Sequence, residues 1–173
     1  MPTTDNYNPV GGHTWNTERE VGELLASLII CTGAKRVLEC GVFHGYTSLQ
    51  LIDALPKGGY YAGIDIEDLR VVKSSVTNKA IDFIVGSSTN EAIYPEGKFD
   101  LIFVDSMHYW DHILPEWKIV ETKIADGGLI CYHDTQHILD VAKLMDYIKR
   151  FKYDVVTMPT PDNRGLTIIK KAV

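Results

Sequence analysis

The run Val37-Leu38-Glu39-Cys40-Gly41-Val42-Phe43-His44-Gly45-Tyr46-Thr47-Ser48 constrains this chain more than any other stretch. A short apolar run ends in an acid, two glycines follow four positions apart, and hydroxyl residues then open a helical pattern. Strand, glycine turn and helix start, in that order, is how an α/β sheet builds a binding crevice at the carboxyl end of a strand. Gly41 lets the backbone turn sharply and pass close to a ligand with no Cβ in the way. The spacing is Glu-x-Gly-x-x-x-Gly, not the Gly-x-Gly-x-x-Gly fingerprint that aims a helix N-terminus at a pyrophosphate. An acid at the strand end repels phosphate. It suits a cationic ligand, or one that offers hydroxyl and ammonium donors.

Hydrophobic periodicity places this motif in a repeating βα pattern. Thr17-Glu18-Arg19-Glu20 has the form of a capping box, and Val21, Leu24, Leu25, Leu28 and Ile29 follow at helical spacing up to Gly33. Strands are expected at 36–40, 60–66, 81–85, 99–104 and 129–132. Helices are expected at 47–55, 68–78, about 109–123 and 138–151, with Pro115 shifting the start of the third. Residues 153–158 and 166–170 flank a loop of turn formers and predict an antiparallel hairpin. The expected fold is one doubly wound, Rossmann-like α/β domain over residues 1–173, with a seven-stranded, mostly parallel sheet closed by that hairpin. Residues 1–16, rich in Asn, Pro and Gly, are expected to form a mobile segment.

Composition narrows the partners. The net charge of −6 argues against broad nucleic-acid binding, which needs a basic surface. No apolar run approaches the ~20 residues that span a bilayer. The start Met-Pro-Thr-Thr-Asp-Asn lacks the basic-then-apolar order of a signal peptide, so no membrane partner is expected. Cys31, Cys40 and Cys131 show no spacing of a disulfide framework or zinc site, and a reducing cytoplasm is the expected compartment.

Ligands of such sheets sit outside the carboxyl ends of the strands, so the residues after each strand are the candidates. Glu39, Gly41 and Gly45 follow the first, with Tyr46 and Thr47 opening the next helix. Asp65 ends the second and can accept bonds from both hydroxyls of a ribose. Ser87 and Ser88 follow the third and offer hydrogen bonds to an adenine edge, or cap a short helix. Asp105 follows the fourth and Asp134 the fifth. S-adenosylmethionine (SAM) carries a sulfonium, an ammonium and a ribose, which match this set. Of six histidines, His108, His112, His133 and His137 crowd behind the fourth and fifth strands. Imidazole there suits proton transfer near neutrality or metal ligation. His133 reads as a buried core histidine, and His112 and His137 as solvated helix residues. Asp105 and Asp134, on adjacent strand ends, are the oxygen donors that Mg²⁺ favours and Mn²⁺ accepts.

On these residues the chain resembles the class I SAM-dependent methyltransferases. Within them it is similar to the small-molecule O-methyltransferases of the catechol, caffeoyl-CoA and metal-dependent macrolide-sugar types. The similarity runs from about Glu23 to Lys170, and Thr32 to Ser48 is similar to that branch's first motif at almost every position. The resemblance implies a SAM site made by Glu39, Gly41, Gly45, Tyr46, Thr47, Asp65, Ser87, Ser88 and Asp105. Glu39, Gly41 and Gly45 would hold the methionine part, Asp65 the ribose, and Ser87 or Ser88 would lie near the adenine. Phe99-Asp100-Leu101-Ile102-Phe103-Val104-Asp105 and Gly127-Gly128-Leu129-Ile130-Cys131-Tyr132-His133-Asp134 look like the fourth- and fifth-strand motifs. The final Asp of each is a metal ligand in the metal-dependent members. Two positions depart. Catechol-type enzymes carry Asn where this chain has Thr135, and a lysine base where it has His108, a pattern similar to the macrolide-sugar enzymes.

The resemblance therefore implies methyl transfer to a hydroxyl of a small-molecule substrate, with Mg²⁺ or Mn²⁺ on Asp105 and Asp134 and His108 as general base. A homo-oligomer is compatible with this reading. Two other readings stand beside it: a SAM-binding accessory module without chemistry of its own, and a nucleotide- or NAD-binding enzyme on a similar sheet. The acid in the first turn and the missing third glycine count against the second of these.

Overall fold

Alternation along the central strands sets the layers of this fold. Val37, Leu101 and Phe103 face one side of the sheet and Leu38, Ile102 and Val104 the other, as the two-residue period of a strand requires. The computed structural model describes residues 16–68 and 78–171. The expected mobile segment, apart from Asn16, and most of the expected helix over 68–78 lie outside these residues.

Strands β1 (Arg36–Cys40), β2 (Tyr60–Asp65), β3 (Ala80–Val85), β4 (Phe99–Val104), β5 (Ile124–His133), β6 (Tyr153–Met158) and β7 (Leu166–Lys171) form one sheet of order β3-β2-β1-β4-β5-β7-β6. The first five are parallel, and β7 runs antiparallel to both β5 and β6. This is the expected doubly wound sheet with its closing hairpin. Helices α1 (Arg19–Thr32) and α2 (Tyr46–Ala54) cover one face, where Val21, Leu25 and Ile29 pack with Leu51 and Ile52 on Val37, Leu101 and Phe103. Helices α3 (Trp110–Lys123) and α4 (Leu139–Ile148) cover the other, where Trp117, Val120, Leu144 and Ile148 bury against Leu38, Ile102 and Ile130. The strand order reverses at β1, which lies between β2 and β4. A crevice therefore opens beyond the carboxyl ends of β1 and β4.

The structure corrects several local expectations. Gly33 does close α1, in a left-handed conformation that returns its N–H to Ile29 and Ile30. The capping box does not form: Glu18 holds the N-cap position without a side-chain cap, and Thr17 turns its hydroxyl elsewhere. Helix α3 runs through Pro115, which sits in its second turn. Strand β5 starts at Ile124, five residues before the expected start, because Ile124 already pairs with Phe99, ahead of a register irregularity after which Leu129 pairs with Leu101.

Trp117 is the largest side chain in the α3–sheet layer. It is 1% exposed and its ring lies against those of Tyr132 and Tyr153. Trp117→Ala is expected to cost about 3–5 kcal/mol of folding stability, read as a lowered urea midpoint.

Candidate active site

Three strand ends, those of β2, β1 and β4, are locked together at the mouth of the crevice. Gly41 N–H donates to Ile64 O, and Asp105 N–H donates to Cys40 O. Gly41 has φ +90°, and a Cβ there would lie 2.2 Å from the carbonyl oxygen of Asp105. No other residue fits, on conformation and on space alike. Above this junction opens a cavity of about 1140 Å³.

One half of the cavity wall carries the first-motif residues. Glu39 is 1% exposed, and its Oε2 accepts hydrogen bonds from Ser48 Oγ (2.5 Å) and from Tyr61 Oη. Burial pushes its carboxyl up to about 8, against the lowering effect of those two hydroxyls. Asp65 Oδ2 accepts from the N–H groups of Val42 (2.8 Å) and Phe43 (2.9 Å), and its Oδ1 from Glu67 N–H. It thus pins the glycine turn, with Oδ2 filled by two N–H groups and one lone pair of Oδ1 left for a ligand. Tyr46 and Thr47 also line the cavity. Gly45 caps α2 in a left-handed conformation and is not part of the wall. Of the two candidate serines, Ser88 lines the cavity, while Ser87 bonds to Thr89.

The other half is charged. His108 Nε2 lies 3.4 Å from Asp105 Oδ1 and 3.4 Å from Asp134 Oδ2. That nitrogen is buried and has no hydrogen-bond partner among the described residues, although the His108 side chain as a whole is 32% exposed. One donor atom from each of Asp105, His108 and Asp134 falls within a 4.8 Å cluster, a spacing that fits a shared cation. Thr135, at the position of the Asn in catechol-type enzymes, is buried with its hydroxyl unpartnered among the described residues.

Behind this cluster lies a network of buried charges. His133, fully buried, places Nε2 2.5 Å from Glu18 Oε2. Its Nδ1 is 3.2 Å from Asp105 Oδ2 but off the hydrogen-bonding direction. Asp105 Oδ2 instead accepts from Thr17 Oγ1 at 2.6 Å. Burial raises the Asp105 carboxyl, but the facing His133 and the Thr17 hydroxyl outweigh it and hold the group below the usual carboxylate range. Burial lowers His133, and Asp105 and Asp134 outweigh that in turn, so its net direction is upward. Arg164 grips Asp134 with a two-pronged contact, Nε to Oδ1 at 2.7 Å and Nη2 to Oδ2 at 3.0 Å. Thr160 Oγ1 donates to Glu18 Oε1 at 2.5 Å.

Sequence reasoning missed Thr17, Glu18, Thr160 and Arg164 as parts of this site. The one available signal was Arg164 itself, the only basic residue in a loop of turn formers. His133 is the buried histidine expected. His112 is not solvated: its Nε2 lies 3.0 Å from Ser88 Oγ and 3.8 Å from Glu116 Oε1. His137 sits in the turn before α4 and lines the cavity. Of the aromatic residues near this end of the sheet, Tyr46 and Tyr109 line the cavity, whereas Trp110 packs on Tyr147 and Tyr132 on Trp117. Among the described residues no helix is long and apolar enough to cross a membrane.

A family profile described as O-methyltransferase matches residues 5–152. The chain is similar to a caffeoyl-CoA O-methyltransferase of Medicago sativa, 32% identical over 138 residues, covering 71% of this chain and 55% of the relative. A caffeoyl-CoA O-methyltransferase of Zea mays is 31% identical over 172 residues, covering 84% of this chain and 64% of the relative. The chain thus spans less than two thirds of the length of these curated relatives. In fold it is similar to the O-methyltransferase from Bacillus cereus in complex with SAH, with a TM-score of 0.77 at 13% identity over 92% of this chain and 84% of that one. It is also similar to the O-methyltransferase TomG from Streptomyces achromogenes in complex with SAM, with a TM-score of 0.74 at 19% identity over 92% and 82%.

The Arg164–Asp134 pair is nearly dry, so removing one partner leaves a buried charge. Arg164→Ala is expected to cost about 3–5 kcal/mol in urea unfolding. Adding Asp134→Asn to that variant should recover a large part of the loss. Additive losses would show that the pair is not coupled.

Proposed function

This chain belongs to the O-methyltransferase family of class I SAM-dependent enzymes. From that premise we propose that it transfers a methyl group from SAM to a hydroxyl of a small molecule, with a divalent metal on Asp105 and Asp134. The observation that carries this reading is the convergence of Asp105, His108 and Asp134 on the cavity whose other wall holds Glu39 and Asp65.

In this reading Asp65 takes the ribose hydroxyls. Glu39 takes the ammonium of the methionine part, with Oε2 already filled by Ser48 and Tyr61 and Oε1 available to the ligand. Methyl transfer from a sulfonium is an in-line displacement, and holding donor and acceptor in line lowers the barrier by ~7–11 kcal/mol. A divalent ion held by the two carboxylates supplies Lewis acidity that lowers the pKa of an acceptor hydroxyl. His108, at the open side of the cluster, takes the proton as the oxygen attacks. A second reading has its own observation. The equal 3.4 Å distances from Nε2 to both carboxylates suit His108 as the third metal ligand.

His108→Ala is expected to lower turnover about 10²–10⁴-fold while leaving SAH affinity nearly unchanged. Mn²⁺ titration of the same variant separates the two roles: retained binding supports the base, lost binding the ligand. Equal loss of turnover and SAH affinity would sink both. Turnover should also require Mg²⁺ or Mn²⁺, and full activity in excess chelator would refute the metal. Tight SAH binding with no metal uptake and no turnover over a broad panel of hydroxylated substrates would favour the accessory-module reading.

The raised Glu39 carboxyl generates a pH signature. A carboxyl at about 8 is protonated at neutrality in the free protein, whereas an ammonium ligand favours the ionised form. Binding of SAH near pH 7 should therefore release up to one proton, and the ligand-free fold should lose stability as pH rises from about 4.5 to 8. Calorimetry in buffers of different ionisation enthalpy reads the release. It should vanish in Glu39→Gln.

A further inference from the structure

Behind the cavity, against α3, lies a second polar cluster that the reaction above does not use. Glu116 is fully buried on the sheet-facing side of α3. Ser106 Oγ donates to its Oε1 at 2.7 Å, and His112 Nε2 lies 3.8 Å from the same oxygen. Its Oε2 has no partner among the described residues, and neither has the buried hydroxyl of Tyr132. A buried carboxyl group this poorly partnered costs stability, and an apolar side chain of similar size would pack better there. Facing it at 3.8 Å, a distance at which its charge acts without a hydrogen bond, is His112 Nε2, which lies 3.0 Å from Ser88 Oγ. Ser88 and Ser106 line the cavity, while His112 and Glu116 stand behind them.

The hydrogen positions follow from this arrangement. A carboxylate only accepts hydrogen bonds, so an unprotonated Nε2 would set its lone pair facing the Glu116 oxygen. The carboxylate thus favours the tautomer with hydrogen on Nε2. Nε2–H then donates to Ser88 Oγ, and the Ser88 hydroxyl hydrogen is left to point at the ligand. With the ribose on Asp65, the base attached to it lies toward Ile66, Gly86, Ser88 and Met107, which line the same cavity. We infer that Glu116, acting through His112, fixes Ser88 as a hydrogen-bond donor to an acceptor ring nitrogen of the adenine of SAM. Glu116 is on this account a positioning residue for base recognition. The inference rests on the reading of the cavity as a SAM site.

Affinities of the whole chain for SAH and for three SAH analogues, with carbon in place of N1, N3 or N7, test it. In the natural protein one analogue should bind about 3- to 10-fold more weakly than SAH, the loss of one hydrogen bond. In Glu116→Gln the amide can present either a donor or an acceptor to His112, so Ser88 is no longer held as donor and that penalty should shrink toward unity. His112→Phe cuts the same link from the other side and should give the same result, which guards against a folding defect in one variant. Ser88→Ala should erase the penalty as well. A penalty that persists in Glu116→Gln and His112→Phe, or three analogues that bind as well as SAH, would overturn the inference while leaving the SAM site standing. Failure of the natural protein to bind SAH would overturn the SAM reading itself.

Discussion

The passage of Gly41 over the carbonyl of Asp105 is the contact on which the rest of the site depends. It brings the end of β1 and the end of β4 within backbone hydrogen-bonding reach, and a methyl group would already be too large for the gap. Because the two strands pair in register, the acid of the first motif and the acid of the fourth strand end open onto one space. Asp65 reinforces the same turn from the next strand by accepting the N–H groups of Val42 and Phe43. The cavity is thus set by backbone, and the side chains around it inherit their positions.

Placing Asp105, Asp134 and Glu18 together in a poorly solvated corner is unfavourable unless something offsets their repulsion. Two groups do so here. Arg164 takes both oxygens of Asp134, and His133 stands between Glu18 and Asp105. Each acid is thereby oriented from behind, which leaves Asp105 Oδ1 and Asp134 Oδ2 facing His108. Among the described residues Glu39 is supported by the hydroxyls of Ser48 and Tyr61 and faces no cation, so burial dominates and its carboxyl moves the opposite way from that of Asp105.

Most of the parallel sheet was legible because β1 to β4 are short, mostly apolar runs that end in or run into Gly or Asp, and the apolar end of β5 runs into Asp134. The chemistry-bearing ends of β1, β2, β4 and β5 were legible for the same reason. Illegible were the groups whose partners are far away in sequence. Thr17 looks like a helix cap, yet its hydroxyl goes to a residue 88 positions on. Glu18 looks like part of a helix start, yet it meets Thr160 across 142 positions. Glu116 has the charge of an exposed helix face and is fully buried. Local pattern reports what a residue does for its own element. It is silent where a distant contact claims the side chain instead.

The Arg164 and Thr160 contacts give the closing hairpin a role beyond covering the edge of β5. Arg164 Nη1 donates to Asn16 O across 148 positions, and its other nitrogens hold Asp134. The charged half of the cavity is therefore completed by segments from opposite ends of the chain. Closing a loop of that length carries an entropic cost that grows only slowly with length, but it delays the contact relative to local ones. The wall that carries Glu39, built from β1, α2 and β2, needs no such closure. The wall that carries Asp105 and Asp134 depends on contacts far apart in sequence, and a ligand bridging these two acids would act as a clasp across that span.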